Sequence, residues 1–197
     1  MISIEELWNS LDPQVWELAL ERYWQLVKPA NLELERALDN LELSRIRQMG
    51  APDWYDFLLN EYLRWKYTAP NRYATTTRSL KQYAMMATID DLYQIKERLL
   101  AFDQADIREG LSIAREIKGL GIAGASGLLA LMYPTDFGTV DQFVVKALRA
   151  VSTLPEAAAL AKMNPESLSI DDGILCTAPL KLDHKMAFLS SYTGYVR

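Results

Sequence analysis

The sequence predicts an all-α fold, and three observations carry that prediction. Apolar residues recur at three- and four-residue spacings along most of the chain. Caps and first-turn prolines punctuate those stretches. No run of alternating apolar and polar residues marks a strand. The 197 residues suffice for one large domain or two small ones sharing a cleft.

Taken in order, Ser3 to Glu6 fits a capping box, with Ser3 as cap and Glu6 reaching back. Asp12 and Pro13 open a second helix that reaches about Lys28. Its Trp16, Leu20, Tyr23 and Val27 line one face, the pattern of a core stripe. Asn31 can cap a third helix carrying Leu34, Ala37, Leu38 and Leu41 toward Gly50. Pro52 and Asp53 open a fourth, with Tyr55, Leu58, Leu59 and Tyr62 on one side. A break at Ala69, Pro70 and Asn71 precedes a helix over 75–87, and Thr88 caps the next over 92–100. Beyond Ala150 the pattern weakens. Residues 154–163 are alanine-rich and helical, Asp171, Asp172 and Gly173 form a solvated turn, 173–179 reads as a short extended piece, and 180–190 as a last helix.

Composition excludes several classes of function. No apolar run approaches the ~20 residues of a membrane span, so no membrane partner is expected. The amino terminus lacks a basic region followed by an apolar one, which predicts a cytoplasmic protein. Cys176 and His184 stand alone in their residue types, which excludes an internal disulfide and the usual cysteine and histidine metal cages. No metal or cofactor is expected, and nothing supports pairing Cys176 with His184 for thiol chemistry. A formal net charge of −5 argues against a chain coated with DNA-binding charge, so local distribution matters more than the total. Oligomeric state has no signal in the sequence.

The segment "EIKGLGIAGASGLLALMYPTDFGTVDQFVVKAL", residues 116–148, carries the functional argument. Gly119 and Gly121, in i, i+2 register between two apolar helix faces, permit positive φ and close approach of a foreign backbone. The helix that follows exposes its first N–H groups, whose partial positive charge suits an anion. Asp141 sits among Val140, Phe143, Val144 and Val145 before another apolar stretch. Read by itself, that aspartate is either a helix N-cap or a carboxylate placed to act on a substrate.

With these residues in view, the chain resembles the helix-hairpin-helix DNA glycosylase superfamily. The hairpin reads Ile117-Lys118-Gly119-Leu120-Gly121-Ile122-Ala123-Gly124-Ala125, and Pro134, Gly138 and Asp141 follow in the family's order. The resemblance covers roughly 106–151. It implies one helical glycosylase-like unit over 1–197, which can divide into two helical lobes around a cleft. It also implies duplex DNA, damaged duplex included, as partner, base flipping, and Asp141 as the catalytic carboxylate. A fixed carboxylate can stabilise the positive charge that develops on the sugar or orient the attacking water. Gly119, Gly121, Ala123 and Lys118 fall at the DNA-binding hairpin. Members with lyase activity carry a lysine where this chain has Ala123, so the implied enzyme is a monofunctional N-glycosylase that uses water. The residues after the aspartate, Gln142 and Phe143, also depart from the family pattern.

A second patch is suggested by charge. No acidic residue occurs between Tyr62 and Ile89, while Arg64, Lys66, Arg72, Arg78 and Lys81 alternate with aromatics. Arg72 and Arg78 are candidate phosphate contacts, with Lys146 beyond Asp141 as a further one, and Trp65, Tyr67 and Tyr73 are candidate walls of a base pocket. The bland reading makes the aromatics core and the basic groups a solvated face. Three functions therefore stand: a DNA N-glycosylase of base-excision-repair type, a non-catalytic nucleic-acid-binding module, and a protein-interaction domain.

Overall fold

A computed structural model describes residues 2–180, apart from the side chains of 178–180. The described residues are helical and contain no strand. The chain runs α1 (Ile4–Asn9), α2 (Pro13–Leu26), α3 (Pro29–Asp39), α4 (Leu43–Gln48) and α5 (Ala51–Asp56). A π-helical stretch (Phe57–Tyr62) leads without a break into α6 (Leu63–Lys66). Then come α7 (Pro70–Met85), α8 (Ile89–Ala101), α9 (Ile107–Arg115), α10 (Ile122–Met132), α11 (Gln142–Arg149), α12 (Ala157–Leu160) and α13 (Ile170–Leu180).

The starts follow from local chemistry. Ser3 and Glu6 form the expected capping box. Asp12 accepts the amide of Gln14 at 2.9 Å ahead of Pro13. Asp106 accepts from Glu109 at the start of α9. Where structure and spacing differ, the reason is equally local. The third helix starts at Pro29 rather than after Asn31, because proline suits the first helical position, and it breaks before Leu43. Residues 154–163 hold only the single turn of α12.

The extended piece expected over 173–179 is instead part of α13. Ser169 and Asp172 close a capping box, with the Asp172 amide donating to Ser169 Oγ at 3.2 Å and the Ser169 amide to Asp172 Oδ2 at 2.8 Å. Asp171 is solvent-exposed as expected, but it stands in the first turn of α13, paired with Arg108, rather than in a turn between elements. Gly173 is a packing glycine, since a Cβ there would come within 2.9 Å of Leu111 on α9 and 3.3 Å of Ile122 on α10. The helix expected over 180–190 and His184 lie outside the described residues, apart from Leu180.

Two apolar clusters form the interior. The larger joins α3 through α10, with Trp54, Phe57, Leu58, Tyr62, Leu92, Leu111 and Leu128 among its fully buried members. The second joins Trp8 and Trp16 to Val140, Val144, Val145, Leu148, Leu160 and Cys176, with Ile122 at its edge. The stripe on α2 is core, with Trp16, Tyr23 and Val27 buried. Glu5 accepts the Ser152 amide at 2.9 Å, which ties α1 to the turn beyond α11.

α10 lies where the clusters meet, and small residues let it do so. A Cβ on Gly127 would stand 3.2 Å from the Lys66 stem and 3.1 Å from Tyr62 Oη. One on Gly124 would collide with Tyr67 Oη and lie 2.9 Å from Leu120. Gly124→Ala is therefore expected to cost about 1–3 kcal/mol by overpacking. Tyr67→Phe, which removes the colliding oxygen, should recover part of that loss in urea unfolding. A Gly124→Ala protein as stable as wild type would refute the close packing.

Candidate nucleic-acid interface and the Asp141 site

The hairpin between α9 and α10 is a tight turn at the surface. The Leu120 amide donates to the Ile117 carbonyl at 3.0 Å, while Ile117, Leu120 and Ile122 are buried and tie the turn to the core. Its two glycines do different work. Gly119 has φ +95, a conformation that glycine alone adopts without strain. A Cβ on it would also lie 3.0 Å from both the Thr76 carbonyl and Ser79 Cβ of α7. Gly121 has φ −84 and ψ −171, ordinary extended backbone, so it does not need the positive φ expected of both glycines. Instead it is exposed and has nothing within 4 Å of where its Cβ would be. It is the N-cap of α10, and no side chain caps that helix. The space where a side chain would stand at this uncapped helix start is open.

α7 supports the hairpin from one side. Thr76 and Ser79 touch it, and Tyr83 Oη accepts the Lys118 amide at 3.3 Å and donates to the Glu116 carbonyl at 3.2 Å. Arg72, one turn before Thr76, lies on the same flank by helical spacing. It also acts on Tyr67, whose hydroxyl abuts Gly124 in the first turn of α10. Arg78 and Lys81 project from other sides of the helix. Arg72, Arg78, Lys81 and Lys146 are exposed and Lys118 is half-buried; none forms a salt bridge with a carboxylate among the described residues. Lys146 reaches back 3.5 Å to Gln142 Oε1 on its own helix. Arg149, by contrast, is structural, donating to the Leu160 carbonyl at 2.8 Å and to the carbonyls of Ala161 and Met163.

Asp141 caps α11. Its Oδ1 accepts the amides of Phe143 at 2.9 Å and Val144 at 3.1 Å, and its Oδ2 faces Lys66 Nζ at 3.5 Å. The side chains of Lys66 and Asp141 are 3% and 13% exposed. Ser126 of α10 holds the preceding residue, its hydroxyl accepting the Val140 amide at 2.9 Å and donating to the Val140 carbonyl at 3.3 Å. Burial pushes the Lys66 amine below the usual lysine range, and the Asp141 charge partly offsets this. The pair links α6, in the larger cluster, to the loop that leads into the second.

Beyond Lys66 lies a further buried acid. Glu35 of α3 is 3% exposed and accepts the hydroxyl of Tyr23. Burial raises its carboxyl above the usual range, while hydrogen bonds from Tyr23 and Trp65 oppose the shift. Glu35, Asp39, Trp65 and Pro134 line a cavity of about 50 Å³. That is well below the ~300–1,000 Å³ of small-molecule sites. Asp141 does not line it.

Of the aromatics considered for a base pocket, Trp65 is buried and lines this small cavity, while Tyr67 and Tyr73 pack on the larger cluster. Lys118, Gly119, Gly121 and the partly buried Ala123 share the turn and the first residues of α10; Arg72 lies by helical spacing on the flank of α7 that carries Thr76, Arg78 on another side of that helix, and Lys146 on α11. Cys176 is buried, and its thiol is pushed up to about 12 by burial, the reverse of an activated nucleophile.

Sequence reasoning passed over Lys66, Ser126 and Glu35 as site residues. A signal for Lys66 existed: the stripe through Leu58 and Tyr62 reaches it one turn later. Glu35 stands three residues before buried Leu38, on the inner side of α3. Ser126 offered none, because its partner is a backbone group fourteen residues away.

Among the described residues no cluster of side chains could hold a metal, and no helix is long and apolar enough to cross a membrane. Comparison with protein-family models, curated proteins and solved structures finds no match to the chain.

Proposed function

We propose that the chain binds the sugar-phosphate backbone of duplex DNA through the hairpin, with Asp141 anchoring the fold behind it. The observation that carries this reading is the open N-terminus of α10 at Gly121, where a phosphate can approach backbone N–H groups without meeting a side chain. Arg72 on the flank of α7 and Lys118 in the turn, neither paired with a carboxylate among the described residues, are the cations such a contact would use. Asp141 fits an anchoring role because both its oxygens are engaged and the cavity near Trp65 is elsewhere.

Binding of a labelled duplex, followed by anisotropy at rising salt, tests the reading. Affinity should fall linearly in log–log form, and Arg72→Ala should reduce the slope by about 1. Absence of salt-dependent binding would reject DNA as the partner and favour a protein partner for this surface.

A second reading, a monofunctional DNA N-glycosylase, is favoured by the rigid presentation of Asp141, which keeps some solvent contact. It expects base release from a panel of damaged duplexes, lost in Asp141→Asn, with no borohydride-trapped complex, since Ala123 occupies the lyase position. Wild-type protein inactive on every lesion, yet binding DNA, would leave the non-catalytic reading in place.

A further inference from the structure

The end of α7 places a sulfur against the hairpin. Met85 and Met86 are 84% and 62% exposed, whereas Met49, Met132 and Met163 are buried. The helix stops because the chain turns through Ala87 at φ +54, and the Thr88 amide closes the turn on the Tyr83 carbonyl at 2.8 Å. Met86 is thus held at a defined turn rather than on a fraying end. Lys118 lies across it, its Nζ 4.6 Å from the Tyr83 ring centroid and 4.0 Å from Met86 Sδ. A thioether is only a weak acceptor, so this contact leaves the ammonium protons available to a phosphate.

We propose that Met86 is a reversible oxidation site whose sulfoxide oxygen captures the Lys118 ammonium. A sulfur lone pair attacks one oxygen of hydrogen peroxide, an S–O bond forms, the O–O bond breaks, and the other oxygen leaves as water. The sulfur loses two electrons and the peroxide gains them. The proton on the transferred oxygen passes to the departing one, and methionine sulfoxide reductases return the sulfoxide to thioether and water with two electrons and two protons from a dithiol, which becomes a disulfide. An oxygen bonded to this sulfur lies within hydrogen-bond reach of Nζ, and a sulfoxide bonded to an ammonium is a charge-assisted pair. Lys118 is then withdrawn from the nucleic-acid backbone, a consequence that rests on the DNA-binding reading of the hairpin. Met85 is at least as exposed but has no such contact among the described residues, which makes it the internal control.

The full chain, Met86→Leu and Met85→Leu are each treated with hydrogen peroxide, and peptide mass spectrometry locates the added oxygen. Two readouts follow: the rate at which an amine-acylating reagent modifies Lys118, and duplex affinity against salt. In wild type and Met85→Leu, oxidation should slow Lys118 acylation and lower the salt slope by about 1, both restored by the reductases. Met86→Leu should bind DNA as wild type does and show neither change. Unchanged Lys118 reactivity with Met86 oxidised, or equal losses in Met86→Leu, would overturn the proposal. If untreated wild type binds no duplex, the DNA-binding reading and this consequence fall together, and Lys118 acylation alone decides the capture.

Discussion

Gly121→Val is expected to stay folded, at a cost of up to about 1 kcal/mol for the poorer N-cap, and, on the phosphate-grip reading, to bind duplex DNA about tenfold to a hundredfold more weakly, the equivalent of one lost hydrogen bond to a charged group. Its backbone is ordinary extended chain, and a side chain there meets no protein atom, so the loss of the glycine cap is the one cost to folding. What the valine occupies is the space in front of the α10 N-terminus. Gly119→Val behaves in the opposite way. Valine at φ +95 is strained, and its Cβ presses on the Thr76 carbonyl and Ser79, so stability falls by at least ~2 kcal/mol. Urea unfolding and anisotropy on both variants separate the roles. Full affinity in a folded Gly121→Val protein would rule out the hairpin as the phosphate grip.

Asp141→Asn is expected to lower stability by about 3 kcal/mol, the low end of the ~3–5 kcal/mol for breaking a buried pair. The asparagine still caps α11, so the loss reports the Lys66 charge left without its partner. Burial holds Lys66 below the usual lysine range in the folded chain, so the unfolded chain binds more protons between the two values. Stability contributed by this group therefore rises with pH across that window. Removing the Asp141 charge lowers the folded value further and extends the window downward. The deficit of Asp141→Asn thus narrows as pH rises across the window. Cys176, pushed up to about 12 by burial, lowers the stability of both proteins alike as the unfolded thiol ionises around pH 8.5, so it cancels from the difference. Asp141→Asn combined with Lys66→Met, which leaves neither charge, should recover most of the loss. A deficit that ignores pH and survives in the double variant would show that Lys66 is not its source.

Some of the site was legible because its causes are local. Gly-x-Gly between two apolar faces announced a tight turn, and a short turn joins α9 to α10 there. Asp141 before Gln142 and Phe143 had the position of a cap, and it caps. The extended piece at 173–179 was misread because Asp171, Asp172 and Gly173 carry turn chemistry. That chemistry was overruled by a capping box and by a glycine chosen for contact with Leu111 and Ile122. The aromatics of the basic stretch could be core or pocket, since composition does not say which face a ring occupies.

Helix positions, most caps and the turn at Gly119 were determined by the sequence itself, because each depends on residues within one or two turns of chain. Tertiary structure alone decided that Gly119 serves folding and Gly121 openness, since the difference lies in α7, which touches one and not the other. It decided likewise that Lys66 meets Asp141 and that Lys118 meets Met86, because those contacts span 75 and 32 residues. Local periodicity holds no information about charges that meet only when helices pack.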